Sequence, residues 1–330
     1  MIAVYVISSE TGAGKTALCA ALGRKLQGKG KTVGYLRVAR DGAEGSRDAS
    51  AIRELLGLKE AANTLFVSPP SLSEVKKAFQ VASGGKDVLL VEGLSGMWGN
   101  GEEERLNQEI ARSLGAKLLP VISYCVGLPW GQLADSVRKF GVPALGLVVN
   151  KVPVVRLKAV QEAVSKMTDG LSSLAIVQED RGLMGLSVAE IAERLRAEVI
   201  GTAGGMDALV ENVMVNAFAI DAGVVYFGRM GNKAVISRGE RPDVHLGALN
   251  TSVRCLVLTG DTRPVDMVAQ RAQEKKVPVL LVKQDSAGAI EILQSALAEA
   301  RFRGKEKAQR FIEGLEKSFD FDRLYQGLGI

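Results

Sequence analysis

Short apolar runs alternate with longer amphipathic segments through the first half of the chain. The runs are Ile2 to Ile7, Lys31 to Arg37, Asp87 to Val91, Lys117 to Ser123, Ala144 to Val149 and Leu174 to Val177. They are continuous, as strands buried on both faces are. Helical spacing follows from Ala17 and over Asp48 to Leu56, Ser71 to Ser83, Glu104 to Leu114, Pro129 to Phe140, Val154 to Met167 and Ser187 to Ala197. Arg40 to Ser46 is polar and reads as a loop; Gly93 to Gly101 reads as a long glycine-rich loop. The alternation predicts an α/β fold, a parallel sheet covered by helices on both faces, with ligands outside the carboxyl ends of the strands.

Val199 to Met206 changes texture and reads as a linker. Beyond it come strands over Lys233 to Ile236, Arg254 to Leu258 and Pro278 to Val282. Helices are expected over Val244 to Leu249, Val265 to Lys275 and Ala287 to Ala300. This predicts a P-loop-sized first domain over 1–198, a smaller α/β domain over 205–300 and a helical tail over 301–330. The tail opens on the basic, amphipathic stretch Arg301 to Lys317. Packing of Phe302 and Phe311 on a neighbour explains it better than nucleic acid, because it lacks the interleaved aromatics of single-strand binders.

Composition narrows the chemistry. The chain has 330 residues, 47% of them hydrophobic, and 37 glycines. That is enough apolar material for two cores joined by tight turns. A net charge of +5 argues for neither nucleic acid nor a membrane. Cys19, Cys125 and Cys255 have no CxxC spacing and suit reduced thiols in the cytoplasm. His245 is the only histidine, which disfavours a serine–histidine triad or a histidine zinc site. No run reaches membrane-spanning length and no signal peptide precedes the first strand.

The chemistry concentrates where the first strand ends. After Ser8 and Ser9 come Glu10, Thr11, Gly12, Ala13, Gly14, Lys15 and Thr16, then a helix. Strand, glycine turn, lysine, hydroxyl and helix form the layout of a phosphate-binding loop. Glycines let backbone N–H groups close on phosphate oxygens, and the helix start adds donors and partial positive charge. Lys15 can reach the outer phosphates and the Thr16 hydroxyl can hold magnesium. The strict pattern has glycine where this chain has Ser9.

Other residues converge on the same predicted edge. Glu92 follows a buried strand beside glycine, where a metal- or water-organising acid is expected. Asp48 suits either a helix cap or a magnesium ligand. Asn150 can read a base edge or make a turn. Trp98, in the glycine-rich loop, can pack on a ligand or anchor the loop.

SETGAGKT, GYLRV, RDASAIRELLGL, DVLLVEGLSG and VVNKV, in this order, resemble the dethiobiotin synthetase superfamily, and more closely the N-terminal part of long phosphate acetyltransferases. The resemblance implies a P-loop fold that binds ATP with Mg2+. It implies metal roles for Thr16, Asp48 and Glu92, phosphate roles for Gly12 through Thr16, and base recognition by Asn150. Where the family usually has Lys-Pro, this chain has Arg37-Val38. Arginine keeps its charge and can grip a carboxylate or phosphate through two nitrogens, but replaces poorly a lysine that positions a carbamate. Lys15, Arg37 and Glu92 are the candidate catalytic residues.

RGERPDVHLGALN, CLVLTGDTRP and KKVPVLLVKQD resemble the DRTGG domain, although its signature letters are not intact. That domain is linked to assembly and regulation in long phosphate acetyltransferases. The chain ends before a transferase domain, so the expectation is a free-standing regulatory or assembly module that hydrolyses ATP slowly or with a partner. It would be cytoplasmic, a homodimer or larger, and tied to acyl-phosphate metabolism. The competing expectation is an ATP-dependent ligase or cyclase acting on a small carboxylate. In the second half, Arg241, Asp243, Asp261 and Arg263 suit ordinary loop salt bridges better than a ligand site.

Overall fold

The computed structural model describes residues 1–97, 101–167, 173–201, 204–215, 223–298 and 305–330. They form two compact units, Met1–Glu179 with Phe302–Ile330, and Asp180–Arg301. Trp98 and Phe302 lie outside the described residues.

In the first unit the elements are β1 (Ile2–Ser8), α1 (Lys15–Gly28), β2 (Val33–Val38), α2 (Gly42–Leu56), β3 (Phe66–Val67), α3 (Leu72–Ser83) and β4 (Val88–Ser95). They continue as α4 (Glu102–Ser113), β5 (Lys117–Ser123), α5 (Trp130–Arg138), β6 (Leu147–Val152), α6 (Leu157–Ser165) and β7 (Ser173–Gln178). The seven strands run parallel in the order β3-β2-β4-β1-β5-β6-β7. This is the parallel α/β sheet that the hydrophobic pattern predicts. On one face Tyr5, Ile7, Leu89 and Val91 pack with Val75, Ile110, Leu133 and Val160 of the covering helices. The small residues of α1 pack close to α2: a Cβ on Gly23 would stand 2.6 Å from Leu56 Cδ1.

Two boundaries differ from the sequence pattern in ways that shape the site. Helix α2 starts at Gly42, inside the stretch that reads as a loop. Asp41, not Asp48, caps it, accepting a hydrogen bond from Ala43 N at 2.8 Å. Gly45 serves close approach rather than flexibility, since a Cβ there would meet the Phe66 ring at 2.8 Å. Asp48 therefore lies in the second turn of a helix. Strand β4 runs to Ser95 instead of stopping at Val91. A Cβ on Gly93 would stand 2.6 Å from the Tyr5 ring. The buried Asn107 accepts from Tyr5 OH at 2.6 Å and from Leu94 N at 3.1 Å, which holds the added strand residues in place.

The second unit holds β8 (Leu186–Ser187), α7 (Val188–Leu195), β9 (Glu198–Ile200), β10 (Leu209–Val210), β11 (Asn212–Val215), α8 (Gly223–Gly228) and β12 (Lys233–Arg238). Then come α9 (Pro242–Leu249), β13 (Val253–Thr259), α10 (Asp266–Glu274), β14 (Val279–Leu281) and α11 (Ser286–Ala298). Its main sheet has the order β11-β12-β13-β14-β9, parallel except for β9, which runs antiparallel to β14. Val199 and Ile200 thus complete a sheet edge, although their segment reads as a linker. Ser187 and Glu190 form a reciprocal capping box on α7.

The final helices, α12 (Lys305–Glu316) and α13 (Phe321–Leu328), belong to the first unit. Asp320 N donates to Leu174 O at 2.7 Å, Lys25 pairs with Glu316, and Phe311 is buried. The stretch that reads as a tail is part of a core, because its apolar residues meet α1 and β7. All three cysteines are free, Cys125 being exposed. Among the described residues no helix is long and apolar enough to cross a membrane.

Candidate nucleotide-binding site

The loop between β1 and α1 has the backbone geometry that suits an anion. Gly12 and Gly14 have φ of 78° and 107°, which side chains rarely adopt. Gly14 is also crowded: a Cβ would fall 2.4 Å from Asn150 Nδ2. No side chain caps α1, and its first turn carries no acid. Asp41, Ser71 and Ser187 do cap α2, α3 and α7. The N–H groups at the start of α1 are left to a ligand.

Lys15 is 5% exposed, and its Nζ donates to Ser8 Oγ at 2.8 Å and Ser95 Oγ at 2.9 Å. Among the described residues its partners are hydroxyls rather than a carboxylate. Burial lowers its pKa from 10.5 to about 8; Glu92 opposes the shift and Arg37 adds to it. Between those values the unfolded chain binds more protons than the folded one. Lys15 therefore makes the fold more stable as pH rises from about 8 toward 10.5. Nucleotide affinity should run the other way. A bound polyphosphate requires the ammonium, so binding above about pH 8 should weaken with pH and take up a proton. Calorimetry in buffers of different ionisation heat checks this; binding without proton uptake there contradicts it.

Ser9, the departure from the strict motif, has a role. Its Oγ accepts from Ser123 N at 3.3 Å and its own N donates to Val121 O at 3.3 Å, which ties the loop to β5. Glu10, Thr11 and Gly12 are exposed, and Ala13 is buried. Asn150, inside β6, clamps the loop: Nδ2 donates to Ala13 O at 2.8 Å and Oδ1 accepts from Lys151 N at 2.9 Å. One amide proton and one lone pair remain to it for a base.

Glu92 is 1% exposed and sits opposite Arg37 across β2 and β4. Its Oε1 accepts from Thr16 Oγ1 at 2.8 Å and Arg37 NH1 at 2.6 Å; its Oε2 accepts from Tyr35 OH at 2.7 Å. Arg37 NH1 also reaches Gly93 O at 3.3 Å. Its NH2 lies 3.6 Å from Glu44 Oε1 and its Nε 3.5 Å from Asp48 Oδ2. Nε donates no hydrogen bond, so the approach of Asp48 is Coulombic. Burial works against the Arg37 charge and is outweighed by Glu92, then Tyr35, Asp48 and Glu44, which hold its pKa above the ordinary arginine value. Burial and then Glu92 push the Tyr35 hydroxyl well above its usual range.

The structure thus brings Lys15, Thr16, Arg37, Asp48, Glu92 and Asn150 to one edge of the sheet. It adds Ser8, Tyr35, Glu44 and Ser95, which the sequence pattern does not single out. Tyr35 carries a weak signal, standing two residues before Arg37 on the same strand face. The hard oxygens of Thr16, Asp48 and Glu92 are the kind magnesium takes. In this arrangement they do not fit a directly coordinated ion, because a guanidinium holds both carboxylates. Among the described residues no cluster of three or more His, Cys, Asp or Glu could hold a metal.

Arg241, Asp243, Asp261 and Arg263 form no comparable site. Arg241 forks onto Asp243 at 3.0 and 2.7 Å, and Arg263 pairs with Glu198 at 2.6 Å.

A parallel sheet with a glycine turn, buried lysine and uncapped helix at its carboxyl edge defines a P-loop domain of the nucleotide-binding class. Family comparison agrees: residues 3–187 match the AAA domain model, and the chain belongs to that family. Residues 190–296 match the DRTGG domain. The chain is 25% identical over 193 residues to the ATP-dependent dethiobiotin synthetase of Methanococcus vannielii, covering 53% of this chain and 90% of that one. It is 24% identical over 374 aligned positions to a phosphate acetyltransferase of Pseudomonas aeruginosa, covering 98% of this chain. The chain spans about half the length of that relative, 52%. Among solved structures, the cell division protein MinD of Aquifex aeolicus aligns with a TM-score of 0.40 at 17% identity, over 56% of this chain and 84% of that one.

Proposed function

We propose that this protein is a cytoplasmic ATP-binding module, regulatory or assembling in role and related to phosphate acetyltransferases, that hydrolyses ATP slowly or with a partner. The observation that carries the reading is Lys15. A buried ammonium is held by two hydroxyls beside two left-handed glycines and an uncapped helix start. Such a group favours an incoming polyphosphate, because the phosphate supplies an opposite charge in direct contact, where its present hydrogen-bond partners are hydroxyls. The regulatory role draws support from the DRTGG match and from similarity along nearly the whole chain to phosphate acetyltransferases.

The ligase alternative needs Arg37 to meet a small carboxylate. Arg37 instead faces Glu92, Asp48 and Glu44 of its own chain, which weighs against that role. Adenine nucleotides should be preferred, since Val152 and Pro153 follow Asn150-Lys151 where a guanine-reading motif carries an aspartate. Competition of labelled ATP by GTP tests the preference; tighter GTP binding reverses it. An absence of any nucleotide binding removes the proposed function.

A further inference from the structure

Three carboxylates gather around one guanidinium at the phosphate site. Arg37 NH1 bonds Glu92 Oε1 at 2.6 Å, Nε lies 3.5 Å from Asp48 and NH2 lies 3.6 Å from Glu44. Thr16 Oγ1 shares Glu92 Oε1 with Arg37 at 2.8 Å. The oxygens that would coordinate a divalent ion beside the loop are therefore already neutralised by a cation of the chain.

That cation is hard to displace. A guanidinium does not lose its proton, and its planar fork suits carboxylates and phosphates alike. Swinging it away would cost its hydrogen bonds to Glu92, which is 1% exposed, and to Gly93 O. Magnesium demands near-octahedral oxygen contacts and gives up water reluctantly, so it competes poorly for oxygens held this way. NH2 stands farther from Glu44 than a hydrogen bond reaches, so that side of the fork is held by charge alone. Lys15 supplies the second fixed positive charge.

We propose that Arg37 is a built-in counter-cation that stands in for the divalent metal, so that this P-loop takes its nucleoside triphosphate as the metal-free anion. The proposal rests on the nucleotide-binding reading above and adds to it the ionic form of the ligand. It is also consistent with the slow turnover proposed above: two fixed cations, Lys15 and Arg37, would hold the phosphates, with both oxygens of Glu92 engaged by Thr16, Arg37 and Tyr35.

The test is calorimetric titration of ATP into the full chain, once in excess EDTA and once in magnesium. Wild-type dissociation constants in the two conditions should agree within about threefold. Arg37→Met should bind at least about tenfold more weakly in EDTA than in magnesium, because the lost charge must be replaced by the metal. Wild-type binding that requires magnesium overturns the proposal and leaves the proposed function standing. Absence of binding in both conditions overturns the proposed function and this inference with it. An Arg37→Met chain that binds equally in both conditions removes Arg37 from the role. Where that variant does not fold, the wild-type comparison alone decides.

Discussion

Lys15→Met should weaken ATP binding by at least about a hundredfold, about 2.7 kcal/mol, and yet unfold no earlier than the parent at pH 7. The two effects have one cause. The ammonium is 5% exposed and its pKa lies near 8 rather than 10.5, so the folded state holds the charge at a cost. Methionine fills a similar volume without that cost. The Ser8 hydroxyl keeps a partner, donating to Glu10 O at 2.7 Å. A packing residue would show the opposite pattern, with stability lost and binding little changed. Calorimetry with ATP and a thermal melt read the two together. Equal affinity in variant and parent would remove the P-loop assignment.

Glu92→Gln should lower stability by about 3 kcal/mol in urea unfolding. Glutamine keeps the shape but has one carbonyl oxygen where the carboxylate offers two. Thr16, Arg37 and Tyr35 all donate to Glu92, at 2.8, 2.6 and 2.7 Å. With glutamine in place, a donor meets the amide nitrogen and the Arg37 charge is left in a buried setting. A double-mutant cycle with Arg37→Met should show less than the sum of the single losses, because the two residues share one interaction. A loss below about 0.5 kcal/mol would mark the pair as solvent-screened.

Much of the fold was readable from the chain because its signals are local. The continuous apolar runs mark strands buried on both faces, and six of the seven strands of the first sheet lie on them. The exception, β3, has two residues, too few for a periodicity. The limits of α2 and β4 were hidden for a different reason. Gly45 and Gly93 resemble loop glycines in the sequence, but each admits a distant aromatic ring, Phe66 or Tyr5. The helices after residue 300 carry a basic surface, and Phe311 is buried as the sequence suggests; that α1 and β7 are the elements they meet has no local signature.

By itself the sequence determined the layout of the phosphate loop, since strand, glycines, Lys15, Thr16 and helix are contiguous and their arrangement depends on local backbone geometry. Tertiary structure decided what surrounds them. Pairing of β2 with β4 sets Arg37 opposite Glu92. The early start of α2 turns Asp48 from a cap into a neighbour of that arginine. The approach of β6 makes Asn150 a clamp on the loop. Charge compensation between groups separated by tens of residues has no local signature; it arises only when the sheet's register brings them within hydrogen-bond reach.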